Sequence, residues 1–157
     1  MTASSLPDHP GVIAMPPRLF IGALVAGFAL ELLFPTRLVP IALQLSLGPT
    51  LVALGLIVAY TAIGQQRRAG TNIETHRPTE TIVSDGLYRF SRNPIYIGLV
   101  LTYLGFAVLG DSLWMLGLLV PLLVVMHYGV ILREEAYLER KFGDGYRAYR
   151  ARVRRWL

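Results

Sequence analysis

The densest side-chain chemistry in this chain lies in fourteen residues, Asp85–Gly98. They read Asp85-Gly86-Leu87-Tyr88-Arg89-Phe90-Ser91-Arg92-Asn93-Pro94-Ile95-Tyr96-Ile97-Gly98. A polar, arginine-rich stretch stops at a proline and turns into an apolar run. Loops ordinarily tolerate change, so polar chemistry packed against a membrane entry point marks a candidate site. Pro94 suits the first turn of a helix, where its missing N–H would be unpaired anyway. Asn93 then falls at the N-cap. The helix start offers free N–H groups and a positive dipole end to a carboxylate. The rings of Tyr88 and Tyr96 can contact a cation. A ligand carrying both charges fits this set, and spacing alone does not name it.

A second group of candidates begins the C-terminal tail. His127 and Glu134 are seven apart and share one face of a regular helix, which could line a pocket. A carboxylate there can accept two hydrogen bonds from a ribose diol. The competing readings are an interhelical hydrogen bond for His127 and a solvated ion-pair cluster of Arg133, Glu134 and Glu135. His9 reads as inert and His76 as solvent-exposed. Glu31, the only acid well inside an apolar run, reads as snorkelling to an interface. No nucleotide-binding glycine loop, metal-ligand spacing or Ser/His/Asp order is visible. The chain has no cysteine, which excludes disulfides, thiolate catalysis and Cys-based zinc sites.

These groups must be positioned by membrane helices. The chain has 157 residues, enough for one domain, and is 54% hydrophobic but only 16% charged. A soluble domain carries about 25% charged residues. Apolar segments fall at 19–34, 41–63, 95–109 and 113–132. A spanning helix needs about 20 apolar residues. The second and fourth qualify, the first is a little short, and the third is shorter still. Only Gly110-Asp111-Ser112 separates the third from the fourth, so they read as a tight helical hairpin. Pro49 marks a kink or a late helix start. Ala23 and Gly27 permit close helix approach. Thirteen of the 15 basic residues lie between segments two and three or after segment four. That asymmetry puts these regions and both termini in the cytoplasm. The formal net charge of +5 sits beside apolar spans, so it points to a membrane surface and not to nucleic acid.

The first 17 residues are polar and proline-rich and read as a flexible or surface-lying N-terminus without a signal peptide. After segment four, Phe142-Gly143 looks like a helix stop, with Gly143 or Gly145 in a left-handed cap. Tyr146, Tyr149, Val153 and Trp156 then recur at helical spacing with arginines between them. This predicts an interfacial amphipathic helix with aromatic anchors in the lipid. The fold class is thus an all-α integral membrane protein of about four transmembrane helices, with a hairpin and a cytosolic amphipathic helical tail. Its parts are the N-terminus (1–17), two helices (18–63), a cytosolic loop (64–93), the hairpin (94–132) and the tail (133–157).

The loop and tail together resemble the isoprenylcysteine carboxyl methyltransferase family and its relatives, the membrane phospholipid N-methyltransferases. The family pattern, approximately Gly-x-Tyr-x-x-x-Arg-His-Pro-x-Tyr-x-Gly, is matched from Gly86 to Gly98. Its second block, a Glu-Glu pair and a Phe-Gly-x-x-Tyr-x-x-Tyr run, is matched by Glu134-Glu135 and Phe142–Tyr149. The chain departs at Asn93, where His is usual in the eukaryotic enzymes, and at Val130, where those enzymes place a substrate-contacting Arg. The resemblance implies S-adenosyl-L-methionine as cofactor, with no metal. Its expected contacts are Glu80, Thr81, Ile82, Val83, Tyr88, Asn93, Pro94, Ile95, Tyr96 and Glu134. His127, Arg133 and Glu134 are the candidate catalytic residues. The expected partners are membrane lipids and a lipidic or small apolar acceptor from the bilayer. The expected location is a bacterial inner membrane. Carboxyl methylation and phospholipid N-methylation are rival activities, and a non-enzymatic transporter or scaffold is the reading from another class.

Overall fold

The computed structural model describes residues 8–72 and 78–157. Among them lie six α-helices and no strand. Helix α1 is Pro16–Leu33, α2 is Ile41–Arg68, α3 is Pro94–Leu109 and α4 is Leu113–Met126. A π turn, His127–Ile131, carries the chain into α5, Leu132–Phe142, and α6 is Asp144–Arg152. Helices α1, α2 and the continuous stretch Leu113–Phe142 are each long and apolar enough to cross a membrane. Helix α3 has 16 residues; that length rises only about 24 Å, short of the roughly 30 Å hydrocarbon core. Large apolar side chains of α1 and α2, including Phe28, Leu32, Leu45 and Ile57, face outward. A bilayer is the solvent that suits such a surface.

Glycines decide which helices touch. A Cβ at Gly55 would lie 2.6 Å from the Gly98 carbonyl oxygen, and one at Gly105 would lie 2.8 Å from that of Gly48. Helices α2 and α3 therefore meet almost backbone to backbone, so α3 packs mainly on α2 and less on its hairpin partner α4. The short turn expected between α3 and α4 is present. Gly27 does the same for α1, where a Cβ would lie 2.6 Å from Met115 Cγ of α4. Helix α2 starts at Ile41 and runs through Pro49, so Pro49 does not mark a late start.

One end of the bundle is tied by polar contacts. Asp111, with φ of 48°, accepts hydrogen bonds from Leu38 N–H at 2.9 Å and Val39 N–H at 2.7 Å. Glu31 accepts from the backbone and the hydroxyl of Thr36, and Trp114 Nε1 donates to the Phe34 carbonyl. Glu31 thus fastens the α1–α2 turn at the end of the bundle. The N-terminal segment, the end of α2, the loop before α3, and α5 and α6 gather at the other end.

The tail corrects a second expectation. Gly143 has φ of 54° and ends α5 as expected, whereas Gly145 lies within α6. Tyr146, Tyr149 and Val153 are buried together against Ile82, Leu138 and Phe142. The aromatic stripe expected in lipid is covered by protein. His76 lies outside the described residues.

Candidate functional site

The signature loop and the tail are joined by side chains. Gly86, at φ of 53°, starts a 3-10 turn whose Leu87 N–H donates to Gln65 Oε1 of α2 at 3.1 Å. The loop then docks on the chain end. Arg92 N–H donates to the Arg154 carbonyl at 2.9 Å, and Asn93 Nδ2 donates to the Arg155 carbonyl at 2.9 Å. Asn93 holds the N-cap position of α3, but its side chain makes no cap; it is spent on the C-terminus instead. Tyr149 Oη donates to the Tyr88 carbonyl at 2.9 Å.

The two glutamates point to different partners. Glu135 is buried and takes both guanidiniums, Arg92 at 3.0 Å and Arg155 through Nε and Nη2 at 2.9 and 2.7 Å. A two-pronged, charge-assisted contact of this kind fixes geometry. Glu134 accepts a 2.7 Å hydrogen bond from Tyr96 Oη on Oε1. The solvated cluster of Arg133, Glu134 and Glu135 expected from sequence does not form among the described residues: Glu135 is buried with Arg92 and Arg155, and Arg133 turns away to Gly11.

A cavity of about 300 Å³ lies between these elements, at the lower end of the range for small-molecule sites. Nine of the ten expected cofactor contacts line it. They are Thr81, Ile82 and Val83 from the loop, Tyr88, then Asn93, Pro94, Ile95 and Tyr96 at the start of α3, and Glu134. Glu80 does not line it; its N–H donates to Thr71 Oγ1 and the residue is exposed. Neither His127 nor Arg133 lines it. The π turn between His127 and Glu134 breaks the regular seven-residue relation on which their shared face depended. His127 instead packs edge-on against Tyr128. Arg133 is exposed and donates to the Gly11 carbonyl at 2.8 Å.

Sequence reasoning missed part of the wall. Gln66 of α2, Tyr137 of α5, and Pro10, Met15, Pro16 and Pro17 of the N-terminal segment all line the cavity. Nothing in their spacing marks them, since each is ordinary for its element. Arg92, Glu135, Tyr146 and Tyr149 were visible within the two sequence blocks, but none was expected on the cavity wall.

Among the described residues, three buried polar atoms of lining residues make no good hydrogen bond: Gln66 Oε1, Tyr88 Oη and Arg92 Nε. The Gln66 amide and the Tyr88 hydroxyl lie near each other, which leaves Arg92 Nε as the clear orphan. Buried polar groups are nearly always paired, so this wall suits a polar ligand. Burial, with the nearby Tyr149 and Glu134, holds the Tyr88 phenol well above its ordinary pKa, so it stays a protonated donor. Tyr149 is raised for the same reason, burial first. Among the described residues no cluster of His, Cys, Asp and Glu is placed to hold a metal ion.

No solved structure matches the chain. An uncharacterised protein of Haemophilus influenzae is 48% identical over 64 residues, which is 40% of this chain and the whole of that protein. Residues 43–145 match the profile of the family described as phospholipid methyltransferase. That stretch holds nearly all of α2, then α3, α4, α5 and most of the cavity wall, and it is well over half the chain: the protein belongs to the phospholipid methyltransferase family.

Proposed function

We propose that the protein is an S-adenosylmethionine-dependent methyltransferase of a bacterial inner membrane, acting on a lipidic or small apolar acceptor, with the cavity end in the cytoplasm. The observation that carries this reading is the 2.7 Å contact between Tyr96 and Glu134 on the cavity wall. It joins the two sequence blocks at one ligand-facing point. Arg92 Nε, without a hydrogen-bond partner among the described residues, and the protonated Tyr88 hydroxyl on the same wall fit a cofactor that carries a carboxylate and hydroxyls.

When bound, the cofactor supplies a methyl group already activated on a sulfonium. The protein then has mainly to align the acceptor and exclude water. Tyr96 engages Glu134 Oε1 and leaves Oε2 for a ligand hydroxyl or an ammonium. Arg92 Nε is placed to receive a carboxylate. The rings of Tyr88, Tyr96 and Tyr149 wall the cavity, and aromatic faces favour a neighbouring cation.

An amine-bearing lipid is the acceptor class best supported. The position where the eukaryotic carboxyl methyltransferases carry an Arg is Val130, fully buried. Arg133 is turned outward to Gly11, and Arg155 is committed to Glu135. Glu134 is the charge left to face an acceptor, and it suits an amine that must give up a proton. Carboxyl methylation is the second reading, supported by the resemblance of the two sequence blocks to the isoprenylcysteine carboxyl methyltransferases.

The test is calorimetric binding of S-adenosylmethionine and S-adenosylhomocysteine to the detergent-purified protein, beside a Glu134→Ala, Tyr96→Ala double variant. Micromolar binding lost in the variant is the expected result. A folded wild type that binds neither compound overturns the reading. Labelled methyl groups in lipid extracts then identify the acceptor.

A further inference from the structure

We infer that Asp8–Pro17 is a latched strap that closes the cavity, with Lys141, Tyr137 and Arg133 as its latch. The inference concerns the same cavity as the proposed cofactor site and rests on that reading for its ligand.

The segment has a fixed root and a loosely held tip. At the root, Val12 packs on the main core. Ile13 N–H donates to the Gly129 carbonyl at 3.1 Å, inside the π turn. The tip of the Ile13 side chain lies where a Cβ on Gly129 would be, so the glycine lets the strap sit close to this turn. Met15, and Pro16 and Pro17 in the first turn of α1, then line the cavity.

The tip is held differently. Gly11, at φ of 61°, turns the chain, and its carbonyl accepts from Arg133 Nη1 at 2.8 Å. Asp8 accepts from Tyr137 Oη at 2.8 Å and from Lys141 Nζ at 2.9 Å. The Asp8 side chain is 60% exposed. Contacts to such a charge are weak in water and screened by salt. Pro10, between these two anchors, lines the cavity. Breaking the latch frees Pro10 while the root stays in place. Tyr137 also takes the Thr79 N–H at 3.1 Å, so the strap and the loop opposite share one hydroxyl.

The absence of cysteine gives a clean test. A single thiol is introduced on the cavity wall by Thr81→Cys, and an exposed control by Ser84→Cys. Their reaction rates with a charged methanethiosulfonate reagent are measured on detergent-purified protein without ligand. Each is compared in the native background and with Asp8→Ala plus Arg133→Ala. Releasing the latch is expected to speed reaction at position 81 about tenfold and leave position 84 unchanged. Swapping the tip charges, Asp8→Lys with Lys141→Asp, restores the slow rate, which a general loosening of the fold would not do. Equal rates at position 81 with the latch intact and released overturn the strap. S-adenosylhomocysteine release, measured on the cysteine-free chain, is expected to accelerate by a similar factor. If that compound never binds, the cofactor reading fails, while the thiol rates still decide the strap.

Discussion

Glu134 and Glu135 are adjacent in sequence and separate in role. Glu135 is enclosed by the Arg92 and Arg155 guanidiniums, its carboxylate buried with them. Glu135→Gln keeps the shape but leaves both cations without their counter-charge. Breaking a buried pair in this way costs about 3 kcal/mol, and the expected outcome is a lower thermal midpoint in detergent, even where residual ligand binding persists. Glu134 is tied by one tyrosine hydroxyl. Tyr96→Phe keeps the ring on the cavity wall and removes only that donor. A hydrogen bond to a charged group is worth roughly 1.5–3 kcal/mol. The expected outcome is S-adenosylhomocysteine affinity about tenfold weaker by calorimetry, with the midpoint little changed. The two variants thus separate a group that holds the fold from one that holds the ligand. A Tyr96→Phe protein with unaltered affinity would remove Glu134 from the ligand site.

Helices explain which of these groups could be read in advance. Apolar length alone located the four apolar helices, because hydropathy needs no tertiary knowledge; three of them are long enough to cross a membrane, and the segment read as short, 95–109, is the 16-residue α3. The pairing of the loop with the tail was legible through two motif blocks. Three features were not. The π turn leaves no mark in a run of apolar residues, and it removed His127 from the face of Glu134. The stripe of Tyr146, Tyr149 and Val153 has the same spacing whether lipid or protein covers it, and here protein does. The N-terminal segment has no periodicity, so its place on the cavity wall follows only from its partners. The α2–α3 contact gives a sharp test at this scale. Gly55→Ala puts a methyl group against the Gly98 backbone. Overpacking of this kind costs about 1–3 kcal/mol, with more expected where the obstacle is main chain. Gly64, on the same helix, has nothing within 4 Å of a Cβ. Gly64→Ala is expected to be neutral or to stabilise by up to about 1 kcal/mol through helix propensity. Thermal unfolding of the pair in one detergent checks both, and equal midpoints would refute the close approach.

The whole molecule has two unlike ends around an apolar belt. One end is a set of polar ties centred on Asp111 and Thr36. The other holds the cavity, the strap and most of the arginines. Under the proposed function, an acceptor dissolved in the bilayer and a cofactor dissolved in water would meet at such an end, which would be a physical reason for housing methyl transfer in a small membrane bundle. The acceptor's own titration tells the two proposed activities apart. A primary amine resembles a lysine side chain, with a pKa of about 10. At neutral pH it is mostly protonated and cannot attack. With vesicles of an aminophospholipid as acceptor, the methylation rate at subsaturating acceptor is expected to rise about tenfold per pH unit between roughly pH 6 and 8. A carboxylate is ionised above about pH 5 and needs no base. Its methylation would be flat across the same interval. A flat profile with labelled methyl esters in the lipid extract would therefore exclude the amine. Glu134→Gln adds the decisive arm. If Glu134 takes the amine proton, the native profile is the flatter of the two and the tenfold rise appears only in the variant; if it only holds the cofactor, both rise alike and the loss is the same at every pH.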